Sequence, residues 1–373
     1  MRGSLEKTLI WGWKNMKKSF VALALAGAFS SAVHAQSAIE IYGVADMGFS
    51  RETGTVAGLT RIPAGTTTPV AVRPSGNNIA SGVQSGTRLG FKGTEDLGGG
   101  LKGLFVLETG IAADKGGFNQ GGLAFGRQTF VGLQGDFGTV TLGRQYTPYF
   151  LTLSGIADPF SAGLAGAAQN LMLAPQSARP NQGVRMDNTV KYTTPLFAGI
   201  SGELAYGFGE AAGSNTDGRV VGASVSYKVK PLAIGIAYYR ANNAPALASA
   251  RDATSSVLLT ASWDFGIAKI HAAYADSDEF ANRKTRDYLI GASLPFGPHT
   301  VMLSYIWKDD RSTLNRDANL AAIGYTYALS KRTNLYASYG RMDDKRGATF
   351  TVGNNSELGT GDKAFNIGIR HLF

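Results

Sequence analysis

The chain contains no cysteine among its 373 residues, which excludes a disulfide framework and thiolate metal sites. Only four histidines are present, too few to favour a zinc or haem centre, so we expect no cofactor. Charged residues make up only 17 % of the chain and hydrophobic residues 44 %, which is not the composition of a disordered protein. No apolar run reaches the ~18 residues that a membrane-spanning helix needs. Insertion into a membrane would therefore require another architecture.

The first part of the chain has the pattern of a secretory signal. Two lysines follow Met16, a ten-residue apolar stretch covers Phe20–Phe29, and small residues lead up to Ala35. This order is typical of a signal peptide that is removed after export, although a short buried helix is the alternative. We therefore expect residues 1–35 to be an upstream extension plus a signal peptide, with Met16 as the true start. Residues 36–373 would form one domain.

The remainder of the chain repeats one pattern of alternating residues. Val257, Leu259 and Trp263 share one parity, while Thr260 and Ser262 share the other. A period of two is typical of β-strands with one apolar face. The same alternation recurs to the C-terminus, and no convincing helical period follows the leader. The sequence thus predicts an all-β fold.

The connections between these segments alternate in length. Short ones such as Leu97–Gly100, Asp136–Gly138 and Gly297–Pro298 are hairpin signals, while 51–85 and 146–187 are long. We count sixteen predicted strands. An even number of strands of about ten residues, with short turns at one end and long loops at the other, is typical of a transmembrane antiparallel β-barrel. Such a barrel pairs every backbone group internally and, at this size, encloses water. A soluble sandwich or propeller is the alternative, but it does not explain the export signal.

The last strand ends on an aromatic residue. Phe365, Ile367, Ile369, His371 and Phe373 share one face. A terminal aromatic strand resembles the signal that the outer-membrane barrel-assembly machinery reads, which makes this machinery an expected partner. Alternatively, Phe373 is simply a member of an aromatic girdle.

Four stretches resemble a known family, namely Ile41–Asp46, Ser85–Lys102, Phe130–Gln145 and Gly368–Phe373. They are similar to the general diffusion porins of β-proteobacteria. This resemblance implies a homotrimer of sixteen-stranded barrels among the lipids of a Gram-negative outer membrane. It also implies passive diffusion of small hydrophilic solutes, often with a preference for anions.

The longest connection, 146–187, carries a run of small apolar residues at 162–168 that does not favour exposure to water. Long loops without structure are uncommon unless they are functional. In related porins the third external loop folds into the barrel and narrows it. We expect the same here, with Asp158 near the constriction. The alternative is a surface loop at a trimer contact.

The resemblance also implies a basic wall opposite that loop, formed by Arg88, Arg127 and Arg185. By alternation Arg88 opposes the apolar Leu89 and therefore faces the lumen, and Arg185 is placed in the same way. Arg127 fits less well because it shares parity with Val131. Each arginine could instead be a solvated lumen charge without a special role.

Two lysines and one more acid complete the predicted lumen. Alternation turns Lys92 and Lys191 inward, and Glu108 matches an acidic position near the family's constriction, so that Glu108 and Asp158 form its acidic side. Fixed charges in a water-filled pore with low-dielectric walls focus the electric field, and basic rings favour anions. We therefore predict an anion-preferring channel.

Other functions remain as alternatives to a general porin. The serious one is a substrate-specific uptake channel for a small anionic solute or a sugar. An enzyme is not expected, because His271, His299 and His371 suggest no catalytic arrangement by their spacing. An adhesin is weaker still, since most long loops are of modest length. The basic excess of residues 36–373 is too small to indicate nucleic acid.

Overall fold

The protein is described here by a computed structural model that covers residues 38–61, 70–173, 183–242, 253–279 and 283–373. The predicted leader, 1–35, lies outside the described residues. The strands in chain order are β1 (Ala38–Thr53), β2 (Thr60–Arg61), β3 (Val70–Ala71), β4 (Gly76–Ser81), β5 (Arg88–Gly98), β6 (Leu101–Ala112), β7 (Gly117–Phe118), β8 (Gln128–Gly135), β9 (Gly138–Tyr146), β10 (Arg185–Thr193), β11 (Ile200–Gly207), β12 (Val220–Val229), β13 (Leu232–Asn242), β14 (Ala253–Asp264), β15 (Lys269–Asp278), β16 (Lys284–Phe296), β17 (His299–Asp310), β18 (Ala318–Ala328), β19 (Thr333–Asp344) and β20 (Lys363–Leu372).

Sixteen of these strands form a closed antiparallel barrel, and β2, β3, β4 and β7 are short additions. Each wall strand pairs with the wall strand that follows it in the chain, from β5 round to β20. Closure is made by β1, which pairs with β5 along Ala38–Val44 and with β20 along Val44–Thr53. The all-β, sixteen-stranded fold expected from the sequence is therefore confirmed. Closure leaves the wall without a free edge, which removes the unpaired backbone groups of an open sheet.

The alternation seen in the sequence separates two faces of the wall. Val257 and Leu259 of β14 are exposed, whereas Thr260 and Ser262, which follow them with the opposite parity, are buried. We call the first kind the apolar face and the second the polar face. The apolar face carries exposed Leu303 on β17 and similar residues on the other strands. Side chains alternate because successive Cβ atoms of a strand point to opposite sides.

The four short additional strands were not predicted from the sequence, and the longest of them is β4. Residues Gly76–Ser81 were expected to belong to a long loop, but they form β4, which pairs with Met47–Glu52 of β1. This pairing extends the β1 edge beyond Val44, where its ladder with β5 ends. The segment begins with glycine and two asparagines, which are turn signals, so tertiary pairing overrides local propensity.

The long connection after β9 contains short helices that the sequence did not indicate. They are α1 (Pro148–Thr152), a π-helical turn (Leu153–Ala157) and α2 (Gln169–Met172). Thr147 caps α1, because its hydroxyl oxygen accepts a hydrogen bond from the amide of Phe150 at 3.1 Å. Each helix is too short to show a helical period in the sequence.

This connection packs against the polar face of the wall. Two glycines make room for it: a Cβ on Gly291 would lie 2.8 Å from Pro159 Cγ, and one on Gly340 would lie 2.7 Å from the carbonyl oxygen of Ala165. Tyr149 has no exposed surface and donates from its hydroxyl to the carbonyl oxygen of Met172 at 3.2 Å. The small apolar residues of the segment are buried here.

Among the described residues, no helix is both long enough and apolar enough to cross a membrane.

Candidate functional site

A cavity of about 440 Å³ separates one side of the wall from the connection after β9. The wall contributes arginines, a glutamate and a tyrosine, while the other side is made mostly of amides and hydroxyls. The residues used below are Arg88, Glu108, Arg127, Tyr146, Arg185, Gln169, Asn170, Asn354 and Asn355. The structure thus places the three predicted arginines around one space.

Glu108 lies among the arginines rather than opposite them. Its Oε1 accepts a hydrogen bond from Arg127 Nε at 2.7 Å, and its Oε2 lies 3.6 Å from Arg88 Nε. The same Oε2 accepts from the Tyr42 hydroxyl at 3.0 Å. Glu108 is only 4 % exposed, so this charge is compensated directly by its partners.

Tyr146 links the other two guanidinium groups. Its hydroxyl oxygen accepts from Arg127 Nη2 at 2.6 Å and from Arg185 Nη2 at 3.0 Å. Arg185 Nε also donates to the carbonyl oxygen of Arg127 at 3.0 Å, and its guanidinium lies 4.7 Å from the centre of the tyrosine ring. The cluster therefore contains three cations and one carboxylate, an excess of positive charge beside the cavity.

Two of the arginines reach the cavity by routes that simple alternation does not predict. Arg127 precedes the first residue of β8, so the parity it shares with Val131 does not fix its direction; its amide donates to the carbonyl oxygen of Glu108 at 3.1 Å. In β10 the register shifts between Met186 and Thr189, which separates Arg185 from the regular alternation of that strand.

Arg88 is positioned by the turn before β5. Asp46 holds this turn, since its Oδ2 accepts from the amides of Gln84 at 2.7 Å and Ser85 at 2.5 Å. The hydroxyl of Tyr336 donates to Asp46 Oδ1 at 2.7 Å. Arg88 Nη1 in turn donates to the carbonyl oxygen at residue 86 at 3.2 Å. Its side chain is the most exposed of the three arginines.

The two predicted lysines lie apart from this cluster. Lys92 Nζ pairs with Glu40 at 3.1 Å, and Lys191 Nζ pairs with Glu203 at 3.2 Å. Both line a second cavity of about 440 Å³, whose wall also includes apolar Phe130. The lysines are therefore neutralised locally by their own carboxylates.

Asp158 does not line the first cavity. Its carboxylate accepts three backbone hydrogen bonds, at 2.9 Å from Phe160, 2.8 Å from Ala162 and 2.9 Å from Ala168. Burial raises the pKa of Asp158 to about 6, against the lowering effect of these amides. Its observed role is to hold the connection after β9 in shape.

The sequence did not point to the last long connection, 345–362, as part of the site. Asn354 and Asn355 line the first cavity. Gln169 donates from Nε2 to the carbonyl oxygen of Asn354 at 2.9 Å, and Asn170 Oδ1 accepts from the amide of Gly353 at 3.3 Å. Apolar residues within this otherwise polar loop, such as the buried Val352, are the only sequence signal for its burial.

Phe373 lies at the barrel's seam. Its amide donates to the carbonyl oxygen of Gly43 at 3.1 Å, and its carbonyl oxygen accepts from the amide of Gly43 at 3.0 Å. Phe373 is about half exposed, and its ring lies over Gly43, where a Cβ would collide with Phe373 Cζ. Whether this residue is an assembly signal stays a prediction.

Comparison with known proteins gives a consistent result. The chain is 34 % identical over 375 residues to the outer membrane porin protein 32 of Delftia acidovorans, covering 96 % of this chain and 100 % of that protein. It is 31 % identical to an outer membrane porin protein of Bordetella pertussis, with the same coverage. A solved anion-selective porin from Comamonas acidovorans matches with a TM-score of 0.74 and 30 % identity, covering 91 % of this chain and 100 % of that one.

These relatives are named as porins, which are channels and not enzymes, and the closed barrel has the architecture expected of a protein of the Gram-negative outer membrane. The model of the Gram-negative porin family matches residues 22–347. The chain therefore belongs to the Gram-negative porin family.

Proposed function

We propose that the protein forms a water-filled channel for passive diffusion of small hydrophilic solutes, narrowed by its third external loop. The polar face of the wall would line the lumen, and the connection 147–173 would fold into it. The close approaches of Pro159 and Ala165 to Gly291 and Gly340 support this arrangement. So does the hydrogen-bond distance of 3.0 Å between His271 Nδ1 and the carbonyl oxygen of Ile156.

The same channel would prefer anions. The observation that carries this proposal is the group of Arg88, Arg127 and Arg185, in which Glu108 pairs with Arg88 and Arg127 and Tyr146 links Arg127 to Arg185. Low-dielectric walls focus the electric field of this excess positive charge on the ion path, which favours anions. Arginine suits the task because it stays protonated and its planar fork holds a carboxylate or phosphate transiently. The Comamonas acidovorans relative is titled an anion-selective porin, which agrees with this direction.

A reversal-potential measurement in a planar bilayer under a KCl gradient tests the proposal. The wild type should favour chloride, and the preference should weaken as salt rises, since the Debye length falls from ~10 Å at 0.1 M to ~3 Å at 1 M. Arg88→Gln should move the reversal potential toward zero. Arg144→Gln is the matched control, because Arg144 pairs with Asp187 and does not line the cavity. Equal potentials in wild type and Arg88→Gln at low salt would overturn the proposal.

We also propose that Met16 is the translation start, that residues 16–35 are removed on export and that residues 36–373 assemble as a homotrimer. The exposed apolar face of the wall supports insertion into a membrane, and membership of the porin family supports the homotrimer. N-terminal sequencing of protein from outer membranes should begin at Gln36. Cross-linking in mild detergent should give a heat-modifiable trimer, and a product that is only monomeric would contradict the assembly.

A second candidate is a substrate-specific channel for a small organic anion or a sugar. The second cavity favours it, because Leu104, Val106 and Phe130 give its wall an apolar patch between Lys92 and Lys191. A selective channel would show saturable block of conductance by one solute. Benzoate and acetate at equal concentration would discriminate: equal, non-saturating effects of the two indicate general diffusion.

A further inference from the structure

A cluster of cations lies on the apolar face near the end of the barrel that carries the long connections. Arg341 of β19 lies directly opposite Lys363 of β20 in the ladder. Arg51 of β1 lies opposite Phe365, which places it diagonally next to Lys363. Phe365 itself is 41 % exposed, and Lys363 shares its parity, so the cluster belongs to the lipid side of the wall.

This arrangement lacks the carboxylate partners that two arginines elsewhere on the same face have. Like charges that face each other across a β-ladder destabilise it, since their Cβ atoms are only about 4.5–5.5 Å apart. By contrast, Arg286 pairs with Asp276 at 3.1 Å, and Arg311 pairs with Asp309 at 3.3 Å. Within the described part of the chain, neither Arg341 nor Lys363 has a carboxylate within 4.0 Å.

One acid does lie nearby on the same strand. Asp343 is two residues beyond Arg341 on the same face and is opposite Asn319. Among the described residues, Asp343 forms no ion pair with Arg341. Even with this one negative charge, the three cations leave the cluster with a net positive charge. An external anion between Arg341 and Lys363 would complete the site.

A groove begins at Arg341 and continues along the apolar face. It measures about 670 Å³, and its apolar lining includes Leu303, Tyr305, Ile323 and Tyr339. Its depth comes from small residues, since Ala321 lies directly between Arg341 and Tyr305 in the ladder. A cationic rim beside an apolar groove matches a molecule with an anionic head and a hydrocarbon tail.

We propose that this surface binds one anionic membrane lipid, with its phosphate between Arg341 and Lys363 and an acyl chain in the groove. The position on the lipid-facing side of an outer-membrane barrel favours a lipid over a soluble anion. Basic residues attract anionic headgroups at a membrane surface, and burial of acyl methylenes adds affinity. The site is separate from the lumen cluster and does not depend on the pore's selectivity.

Native mass spectrometry of the detergent-purified protein tests this site with dioleoyl phosphatidic acid and dioleoyl phosphatidylcholine, which carry the same chains. The wild type should retain phosphatidic acid preferentially. The double variant Arg341→Gln with Lys363→Gln should retain at least about tenfold less, whereas the control Arg286→Gln should behave as the wild type. Equal retention by the wild type and the double variant would overturn the proposal.

Three further experiments test its parts and do not depend on the folding of the double variant. Ala321→Phe fills the groove without changing charge and should weaken retention of phosphatidic acid. Unchanged retention would refute the placement of an acyl chain in the groove. Arg341→Lys keeps the charge and should preserve most of the binding. Millimolar inorganic phosphate should not displace the lipid, and displacement would show a site for free phosphate instead. Heat-modifiable electrophoretic mobility confirms that each variant is folded.

Discussion

Asn355 donates from Nδ2 to the carbonyl oxygen of Ala162 at 2.8 Å, although the two residues are 193 positions apart. Its Oδ1 accepts from the amide of Gly86 at 2.7 Å, and its own amide donates to the carbonyl oxygen of Val83 at 3.3 Å. One side chain thus joins the connection after β9, the turn before β5 and the last long connection. These are the three segments that surround the candidate constriction.

Replacing Asn355 with alanine should loosen these segments together. Two buried backbone groups would lose their partner, at a cost of about 1–3 kcal/mol each if left unsatisfied. We expect noisier single-channel current and more frequent spontaneous closures in planar bilayers. Asn319→Ala, on the apolar face, is the control. Current noise equal to that of the wild type would show that Asn355 does not position the constriction.

Glu108→Gln should increase the preference for anions. The substitution removes the carboxylate that compensates Arg127 and Arg88, so the net charge beside the cavity becomes more positive. Loss of a buried ion-pair partner should also destabilise the barrel by about 3–5 kcal/mol. Reversal potential and denaturant unfolding measure the two effects. Glu203→Gln, which breaks the Lys191 pair outside this cavity, should change selectivity less than Glu108→Gln does. A larger change in Glu203→Gln than in Glu108→Gln would argue against the site.

The connection after β9 should be more stable in weak acid than at neutral pH. Burial raises the pKa of Asp158 from an ordinary value of 3.8 to about 6, so the folded state binds the proton more tightly than the unfolded state. This stabilisation is fully present below about pH 4 and is lost as pH rises through 6. Hydrogen exchange at the amides of Phe160, Ala162 and Ala168, corrected for intrinsic rates, should show greater protection at pH 4.5 than at 7.5.

Asp158→Asn should abolish most of that pH dependence, because the side chain can no longer ionise. Asp136→Asn, in an exposed short turn, should leave it unchanged. Identical protection at both pH values in the wild type would contradict the assigned role of Asp158.

A charge placed on the apolar face should destabilise the barrel in lipid. Val225 is 52 % exposed and Leu303 is 42 % exposed on that face. An arginine at either position should cost ~2–4 kcal/mol if the site lies near the bilayer midplane, and less near the interfaces. Unfolding by denaturant from lipid vesicles measures the change, with Val225→Leu as the control. A cost near zero for both arginine variants would mean that this face does not meet hydrocarbon.

Removal of Phe373 should impair assembly in the outer membrane of cells. Deletion takes away the ring and the two backbone hydrogen bonds to Gly43, whereas Phe373→Ala keeps those bonds. If the aromatic ring is an assembly signal, both variants should yield less trimer than Phe365→Ala, which changes the same face of β20. Normal trimer levels in both variants would leave Phe373 with a girdle role alone.

The sequence by itself determined the wall of the barrel. Alternation fixes which face of each strand is apolar, as at Val257 and Thr260, because side chains alternate regardless of context. The short turns then set strand order, since consecutive antiparallel strands joined by tight turns become neighbours. These are local rules, and they sufficed for sixteen strands and a closed topology.

Only the tertiary structure decided how the long connections fill the space beside the wall. Arg127 lies just outside a strand and Arg185 beyond a register shift, so no period governs them. Asp158 binds backbone amides of its own segment, and Asn355 joins segments far apart in sequence. Such contacts depend on the distances that closure of the barrel imposes. The loops have no repeating pattern, so their sequence contains no local signal for those distances. The site therefore forms only when the closed wall brings the loops together.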